Sequence, residues 1–341
     1  HQPAALRVDG TIGQELVAGP TEGVARPTMS EQFDWDVVIV GGGPAGLSAA
    51  LNLARARRRT LVLDSNRPRN SATFHSHGFL SRDGISPLEL RKMGREELEQ
   101  YPNVSFERTI VEGIQLLNAA AEMDTASASA TVGAGFTVTH RGGAVTTRTV
   151  LIATGLREVL PKLPTLRAFY GTSIHSCMEC DGYEYADKPI ALIGHTDDLA
   201  ERALLLSQWS RDLIVFTQGV GHVSDADEAM LAERGVRVDR REVADVAGDR
   251  DGLNGVVLAD GETVPREAAF VRPDYETALD FAAGLQLALD AEGLIVVDAA
   301  GRTSTAGAYA IGDATPPGPQ QLIVAAGDGA EVAAVINRDL L

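Results

Sequence analysis

The stretch Trp35–Asp64, WDVVIVGGGPAGLSAALNLARARRRTLVLD, decides the fold. Val37–Val40 is a short β-branched run, the pattern of a strand buried in a parallel sheet. Gly41, Gly43 and Gly46 follow in the spacing G-x-G-x-x-G, and the Ala- and Leu-rich segment after them predicts a helix to about Arg57. Arg55, Arg57, Arg58 and Arg59 crowd its end, where the negative pole of the helix dipole favours cations. Leu61–Leu63 reads as the next strand and closes at Asp64, eighteen residues past Gly46. Strand, glycine turn, helix, strand and acid in this order make a βαβ unit suited to a dinucleotide. Gly41 permits the tight turn, Gly43 lets backbone approach a pyrophosphate, and Gly46 lets helix and strand pack closely. The helix N-terminus faces the phosphates, and Asp64 is placed to accept from a ribose hydroxyl.

Outward from this unit the same grammar recurs. Thr149–Gly155, TVLIATG, is an apolar strand closing on a turn, and Ala306–Ala314, AGAYAIGDA, is a strand ending at Gly312–Asp313. QQLIVAAGDGAEVAAVINRDLL then predicts a helix with Gly and Ala where close packing is needed. Between them Lys188–Gln218 reads strand, turn, helix, strand. The expected fold is α/β, with two Rossmann-like dinucleotide-binding (three-layer ββα) domains, the second inserted in the first. Residues 33–156 and 287–341 form the first domain and 157–286 the second. Residues 1–32 read as an N-terminal extension without the apolar core of a signal peptide, Met29 looking like a natural start. The Ala-rich AAAEMDTASASA around residue 125 reads as a hairpin or loop.

Acidic residues outnumber basic ones 47 to 30, a formal charge of −17, and no basic patch interleaved with aromatics occurs. A nucleic-acid or anionic-membrane surface is therefore not expected. Neither is a spanning helix, for which about 18 consecutive apolar residues are needed. The chain reads as soluble and cytoplasmic.

Cys177 and Cys180, in HSCMECDG, are the only two cysteines in 341 residues. Structural zinc usually takes four ligands, and His175 and Glu179 are the only close helpers, so a metal site is poorly supplied. An inert thiol pair is a further reading. A redox pair is the stronger one, because C-x-x-C spacing closes a small disulfide ring whose thiols can be poised by a helix N-terminus. Glu179 between the cysteines should raise a thiolate pKa.

Taken together, GGGPAG, ATG, C-x-x-C-D-G, a second βαβ unit, and IGD with QQLIVAAGDG resemble the low-molecular-weight thioredoxin reductase family across residues 33–341. The resemblance implies FAD on the first domain. Gly41, Gly43, Gly46 and Asp64 would hold its ADP half, with Asp64 standing where Glu is commoner. At the Gly312–Asp313 turn, Asp313 would reach the ribitol, and the backbone around Gln321 and Leu322 the flavin ring. It further implies that Cys180 exchanges electrons with FAD, that Cys177 is the interchange thiol, and that Asp181 is the proton donor. As a turn residue before Gly182, Asp181 also has a plain structural reading. A homodimer is implied, with a thioredoxin-like protein or a small dithiol or disulfide as partner.

The second fold departs from this family. Where a G-x-G-x-x-A fingerprint should bind NADPH, the chain has Gly194, His195, Thr196, Asp197, Asp198 and Leu199. Thr196 sets a side chain where backbone should meet pyrophosphate, Leu199 crowds the helix–strand contact, and Asp198 adds negative charge. After Phe216 no Arg or Lys follows until Arg234, so nothing nearby in sequence grips a 2′-phosphate. Asn66–Gly84, with His75 and His77, occupies the flavin-lining region and looks like that of thioredoxin-reductase-like dithiol oxidases. Those carry His after the C-x-x-C, where this chain has Asp181. The expectation is an FAD-dependent thiol–disulfide oxidoreductase that does not use NADPH, oxidises a dithiol, and can rest with Cys180 against the flavin. Its competitors are a disulfide reductase fed by NAD(P)H at an altered site or by ferredoxin, and a non-enzymatic flavin-binding sensor.

Overall fold

In the computed structural model β1 (Trp35–Val40) leads through the glycine turn into α1 (Pro44–Arg55) and β2 (Thr60–Asp64), and residues 32–117 and 135–341 are described. The N-terminal extension and the Ala-rich stretch near residue 125 lie outside the described residues. Next come α2 (Pro87–Leu98), β3 (Val104–Arg108), β4 (Val111–Leu116), β5 (Phe136–His140) and β6 (Gly143–Ile152). The chain crosses over on β7 (Arg157–Val159) and continues through α3 (Leu166–Phe169), β8 (Ile174–His175) and α4 (Met178–Asp181). The second βαβ unit is β9 (Ile190–Ile193), α5 (Leu199–Leu206) and β10 (Leu213–Phe216), followed by α6 (Asp225–Glu233) and β11 (Arg237–Asp239). A meander of β12 (Val243–Asp249), β13 (Gly252–Leu258) and β14 (Thr263–Pro265) leads to β15 (Ala268–Val271). The return crossing is β16 (Asp274–Glu276), and β17 (Ala308–Ala310) and α7 (Leu322–Asp339) complete the first fold.

Two main sheets result. The first has order β3-β2-β1-β6-β5-β4, with β17 also on β6. Strand β6 is long enough to serve two neighbours on one edge: its first half pairs antiparallel with β5 and its end pairs parallel with β17. The second sheet, β11-β10-β9-β15-β8, is parallel throughout. Every residue of β9, β10 and β15 is buried, as parallel strands covered on both faces require. The segment 174–271 thus builds its own sheet between β6 and β17, which gives the expected two-fold, inserted architecture. The two crossings, β7 and β16, pair with each other as an antiparallel ribbon. Among the described residues no helix is long and apolar enough to cross a membrane.

Helix α1 ends at Arg55, not Arg57. Arg57 takes a left-handed conformation (φ +62°), and the Asn103 amide donates to the carbonyls of Ala54 and Arg58, satisfying the helix end from a distant loop. The strand expected over 306–314 keeps only Ala308–Ala310, because Gly312 (φ +67°) turns the chain into a short 3-10 turn, Gly312–Ala314. Close packing explains Gly329: a Cβ there would lie 2.2 Å from the Ala45 carbonyl oxygen, so α7 rests directly on α1.

Candidate active site

The dinucleotide turn is shaped as its glycines require. Gly41 sits at φ +111°, and a Cβ on Gly46 would come 1.9 Å from the Gly41 carbonyl oxygen. Gly43 caps α1 without a side chain on the first-turn amides, no acid lies in that turn, and the space beside Gly43 is open to 4 Å. Thr154 Oγ1, in the ATG turn opposite, is buried with no hydrogen-bond partner among the described residues. Free helix amides and an orphaned buried hydroxyl fit a phosphate-bearing cofactor such as FAD.

Asp64 is buried at the end of β2. Its Oδ1 accepts from the Gly42 N–H at 3.1 Å, and its Oδ2 from Arg91 Nη2 at 2.6 Å. Arg91 Nε also donates to the Gly42 carbonyl at 3.2 Å, so one guanidinium fixes both acid and turn. Sequence reasoning missed Arg91. Its signal was a cation on the buried face of α2, in line with Pro87 and Leu98. A cavity of about 390 Å³ beside this pair is lined by Asn66, Ser86, Arg91, Lys92, Arg95 and Arg108 among others, a basic recess on an acidic chain.

Asp313 is placed by the turn after β17. Its Oδ1 accepts from the Gln320 N–H at 3.0 Å and its Oδ2 from Arg69 Nη2 at 2.7 Å. Burial lifts this carboxyl above the usual range, although Arg69 opposes the shift. Arg69 Nη1 donates to Glu158 Oε1 at 3.2 Å, and Glu158 accepts from the Tyr170 hydroxyl at 2.6 Å and from Ser176 Oγ at 3.2 Å. Burial works against the Arg69 charge, but Asp313 and Glu158 together hold the guanidinium above its ordinary value. Burial, then Glu158, keeps the Tyr170 phenol firmly protonated. One network therefore runs from Asp313 through β7 to Ser176, the residue before Cys177. Gln321 and Leu322 open α7, where no side chain caps the first turn. A Cβ at Gly78 would come 3.5 Å from Gln321 Oε1, so the 66–84 segment lies against this helix start.

The two histidines of that segment separate. His75 is exposed, with Nδ1 3.1 Å from the Gly84 carbonyl of its own loop. His77 reaches across: one ring nitrogen lies 3.5 Å from Asp83 and the other 3.5 Å from Glu184 Oε1, just beyond the cysteines.

Cys177 and Cys180 are joined as a disulfide across the first turn of α4, and both are half-buried. The Cys180 N–H donates to Cys177 Sγ at 3.2 Å. Asp181 Oδ1 lies 3.2 Å from Nδ1 of the buried His175. His175 Nε2 is 3.1 Å from the Tyr185 hydroxyl, which donates to the Thr172 carbonyl. His175, weighed in the sequence only as a metal helper, thus has both nitrogens engaged by protein groups. Its signal was a polar ring on the apolar strand β8.

In the second fold, Leu199 is fully buried where the fingerprint needs a small residue. A Cβ on Gly194 would lie 2.7 Å from Leu199 Cδ2, and one on Gly221 2.5 Å from Leu199 Cδ1, so the leucine fills the space between the two backbones. Asp198 heads α5 with Oδ2 3.2 Å from Arg272 Nε, and its other oxygen accepts from the Thr196 hydroxyl. The cations that β11 brings toward the end of β10 are already paired. Arg240 holds Glu228 at 2.6 Å and the Val223 carbonyl, and Arg241 sits among Asp239, Asp260 and Glu262.

Residues 35–329 match the family model described as "Pyridine nucleotide-disulphide oxidoreductase". The thioredoxin reductase of Streptomyces coelicolor is 31% identical over 313 residues, covering 87% of this chain and 91% of that protein. The "Probable thioredoxin reductase" of Arthroderma benhamiae is 31% identical over 208 residues, 61% of this chain but only 49% of that longer protein. Among solved structures, that of HlmI is 37% identical with a TM-score of 0.81, covering 90% of this chain and 92% of that one.

Proposed function

This chain belongs to the pyridine nucleotide-disulphide oxidoreductase family and is a flavoprotein disulfide oxidoreductase of the thioredoxin reductase kind, and from that premise we propose that it oxidises a dithiol rather than drawing electrons from NADPH. Cys177 takes the substrate sulfur, and Cys180 is the thiol freed when the disulfide opens. FAD, when bound, supplies the two-electron acceptor, renewed by oxygen or another oxidant. Gly41, Gly43, Gly46 and Asp64 would hold its ADP half, with the orphaned Thr154 hydroxyl as a further donor, and Gly312, Asp313, Gln321 and Leu322 would hold the remainder. Asp181 manages the proton, and His77, tied to Glu184, steadies the lining segment against the 3-10 turn Gly182–Tyr185 that follows α4.

The observation that carries the reading is the second cleft. Leu199 occupies the space between the Gly194 and Gly221 backbones, where helix and strand should pack closely, and the Asp198 carboxylate stands at the helix start that a pyrophosphate needs, paired to Arg272. A pyrophosphate at that helix start must meet a carboxylate before any favourable contact forms. Anaerobic mixing with NADPH, with NADH and with dithiothreitol tests it. The dithiol is expected to bleach the flavin quickly, while either nucleotide at micromolar concentration leaves it oxidised. Fast bleaching by NADPH overturns the proposal.

A second reading, a reductase of a thioredoxin-like protein fed by NAD(P)H at an altered site, is favoured by Arg272. Its Cβ lies 3.7 Å from the position a Gly194 Cβ would take, so a cation stands at the cleft if Asp198 releases it. The same mixing experiment separates the two. The homodimer implied by the resemblance belongs to either reading and is checked by light scattering.

A further inference from the structure

Asp181 alone does not account for the proton that disulfide exchange needs. An isolated aspartic acid ionises at about pH 4 and has no proton to give near neutrality. The groups behind it supply the missing part. The Tyr185 hydroxyl has one hydrogen and spends it on the Thr172 carbonyl. Burial, with Asp181 and Glu184 adding to it, pushes this phenol up to about 12, so that hydrogen stays in place. The Tyr185 oxygen is then the acceptor for His175 Nε2 at 3.1 Å, and Nε2 carries a hydrogen. Nδ1 is left facing Asp181 Oδ1 at 3.2 Å, with the His175 side chain 7% and the Asp181 side chain 18% exposed. If both atoms were bare, two lone pairs would oppose each other out of water. One proton between them removes that cost.

We propose that His175 is a positioning residue which, fixed by Tyr185 and the Thr172 carbonyl, keeps a transferable proton at Asp181 for the thiolates of Cys177 and Cys180. A substrate thiolate bonds to Cys177 Sγ, the disulfide breaks, and Cys180 Sγ leaves with the electron pair and takes the shared proton. The second substrate thiol returns a proton to the Asp181–His175 pair, and its sulfur displaces Cys177 Sγ as a thiolate, closing the substrate disulfide. The substrate loses two electrons and the protein disulfide gains them. The proton of the first substrate thiol goes to solvent, from which Cys177 recovers one. The same pair serves the reverse exchange, so the inference rests on the disulfide chemistry and not on the absence of NADPH.

Among the described residues, the charged groups around the pair are few. Lys188 lies 5.4 Å over the Tyr185 ring, Glu184 follows Tyr183, and Arg202 from α5 donates to the Ser176 carbonyl at 3.3 Å. Glu179 lies on α4 itself, and β15 contributes only the Phe270 ring against His175 and Tyr185.

The test follows reduction of the FAD-loaded protein by dithiothreitol, anaerobically, with the rate expressed per dithiothreitol thiolate across pH. The parent is expected to hold a level rate through neutrality. His175→Phe keeps the ring volume and removes both nitrogens. Its rate should fall about 10- to 100-fold at about pH 8 and recover toward acid pH, where solvent supplies the proton, a loss within the usual range for an acid–base group. Adding Asp181→Asn should cost little more at about pH 8, because the two residues act as one unit, and should abolish the recovery toward acid pH. A parental profile in His175→Phe, or a uniform drop at every pH, overturns the proposal. Should that variant fail to fold, Tyr185→Phe decides: it removes only the acceptor at Nε2, and a profile without a displacement in the same direction overturns the proposal equally. The NADPH experiment is independent of both outcomes.

Discussion

Cys180→Ser will leave the bound flavin oxidised when dithiols are added without oxygen, while the parent is bleached. The expected loss in rate is ~10⁴-fold or more, the scale on which an enzyme loses rate when a reacting group is deleted and only binding remains. The reason lies in the pairing across the first turn of α4. With Cys177 and Cys180 joined, substrate sulfur has a disulfide to attack and a thiolate to expel. A serine hydroxyl forms no such bond and is a far poorer leaving group. Cys177 remains in the variant and still forms a mixed disulfide with a small disulfide reagent, readable as added mass on the intact protein. That arm shows that the exchange thiol is reachable, and flavin retained on the purified variant shows that the chain has folded. A Cys180→Ser protein bleached at the parental rate would mean that electrons reach the flavin without passing through the disulfide, the behaviour expected of the non-enzymatic alternative in contact with a reducing agent.

Removing the guanidinium under the dinucleotide turn has the second largest effect. Arg91→Ala is expected to destabilise the protein by ~3–5 kcal/mol, the range for stripping one partner from a buried ion pair. The Arg91 and Asp64 side chains are 5% and 10% exposed, and their 2.6 Å contact is shared with the Gly42 carbonyl. Without Arg91, Asp64 keeps, among the described residues, the Gly42 N–H alone. The turn that approaches the pyrophosphate also loses its outer donor, so the purified variant should carry less FAD. Asp64→Asn combined with Arg91→Met removes both charges and should recover much of the stability, though not the ribose contact. Chemical denaturation of the three proteins, with flavin content measured alongside, checks this. A loss below about 1 kcal/mol for Arg91→Ala would show that water reaches Asp64 and that the pair is a surface interaction.

What could be read in the chain beforehand was what depends on neighbours in sequence. The βαβ unit from Trp35 to Asp64 carries its own periodicity and its own glycines, and the structure follows it closely. The inserted second fold was equally legible, since β9, α5 and β10 repeat the pattern. Pairings made across the fold were not legible. The end of α1 was misplaced by two residues because Asn103, which satisfies its carbonyls, arrives from before β3. Arg91 looks like an ordinary helix cation until α2 packs against the turn. His175 looks like a stray ring until β8 buries it between Asp181 and Tyr185. The stretch after β10 carries no basic cluster, and the cations that reach that edge, Arg240 and Arg241, follow β11 and are neutralised there by acids.

The ribbon of β7 and β16 makes the inserted fold a separable cassette. Arg157 pairs with Glu276, Glu158 with Tyr275 and Val159 with Asp274, so the chain leaves the first sheet and returns to it at one place. Excising codons 160–273 and joining the ends through a two-residue Asn-Gly turn would close the ribbon as an ordinary hairpin. Every strand of the first sheet would keep its partners, and Arg69 would keep both Glu158 and Asp313. Such a shortened gene should encode a small flavin carrier without thiol chemistry, onto which a different reactive module could be grafted through the same two strands.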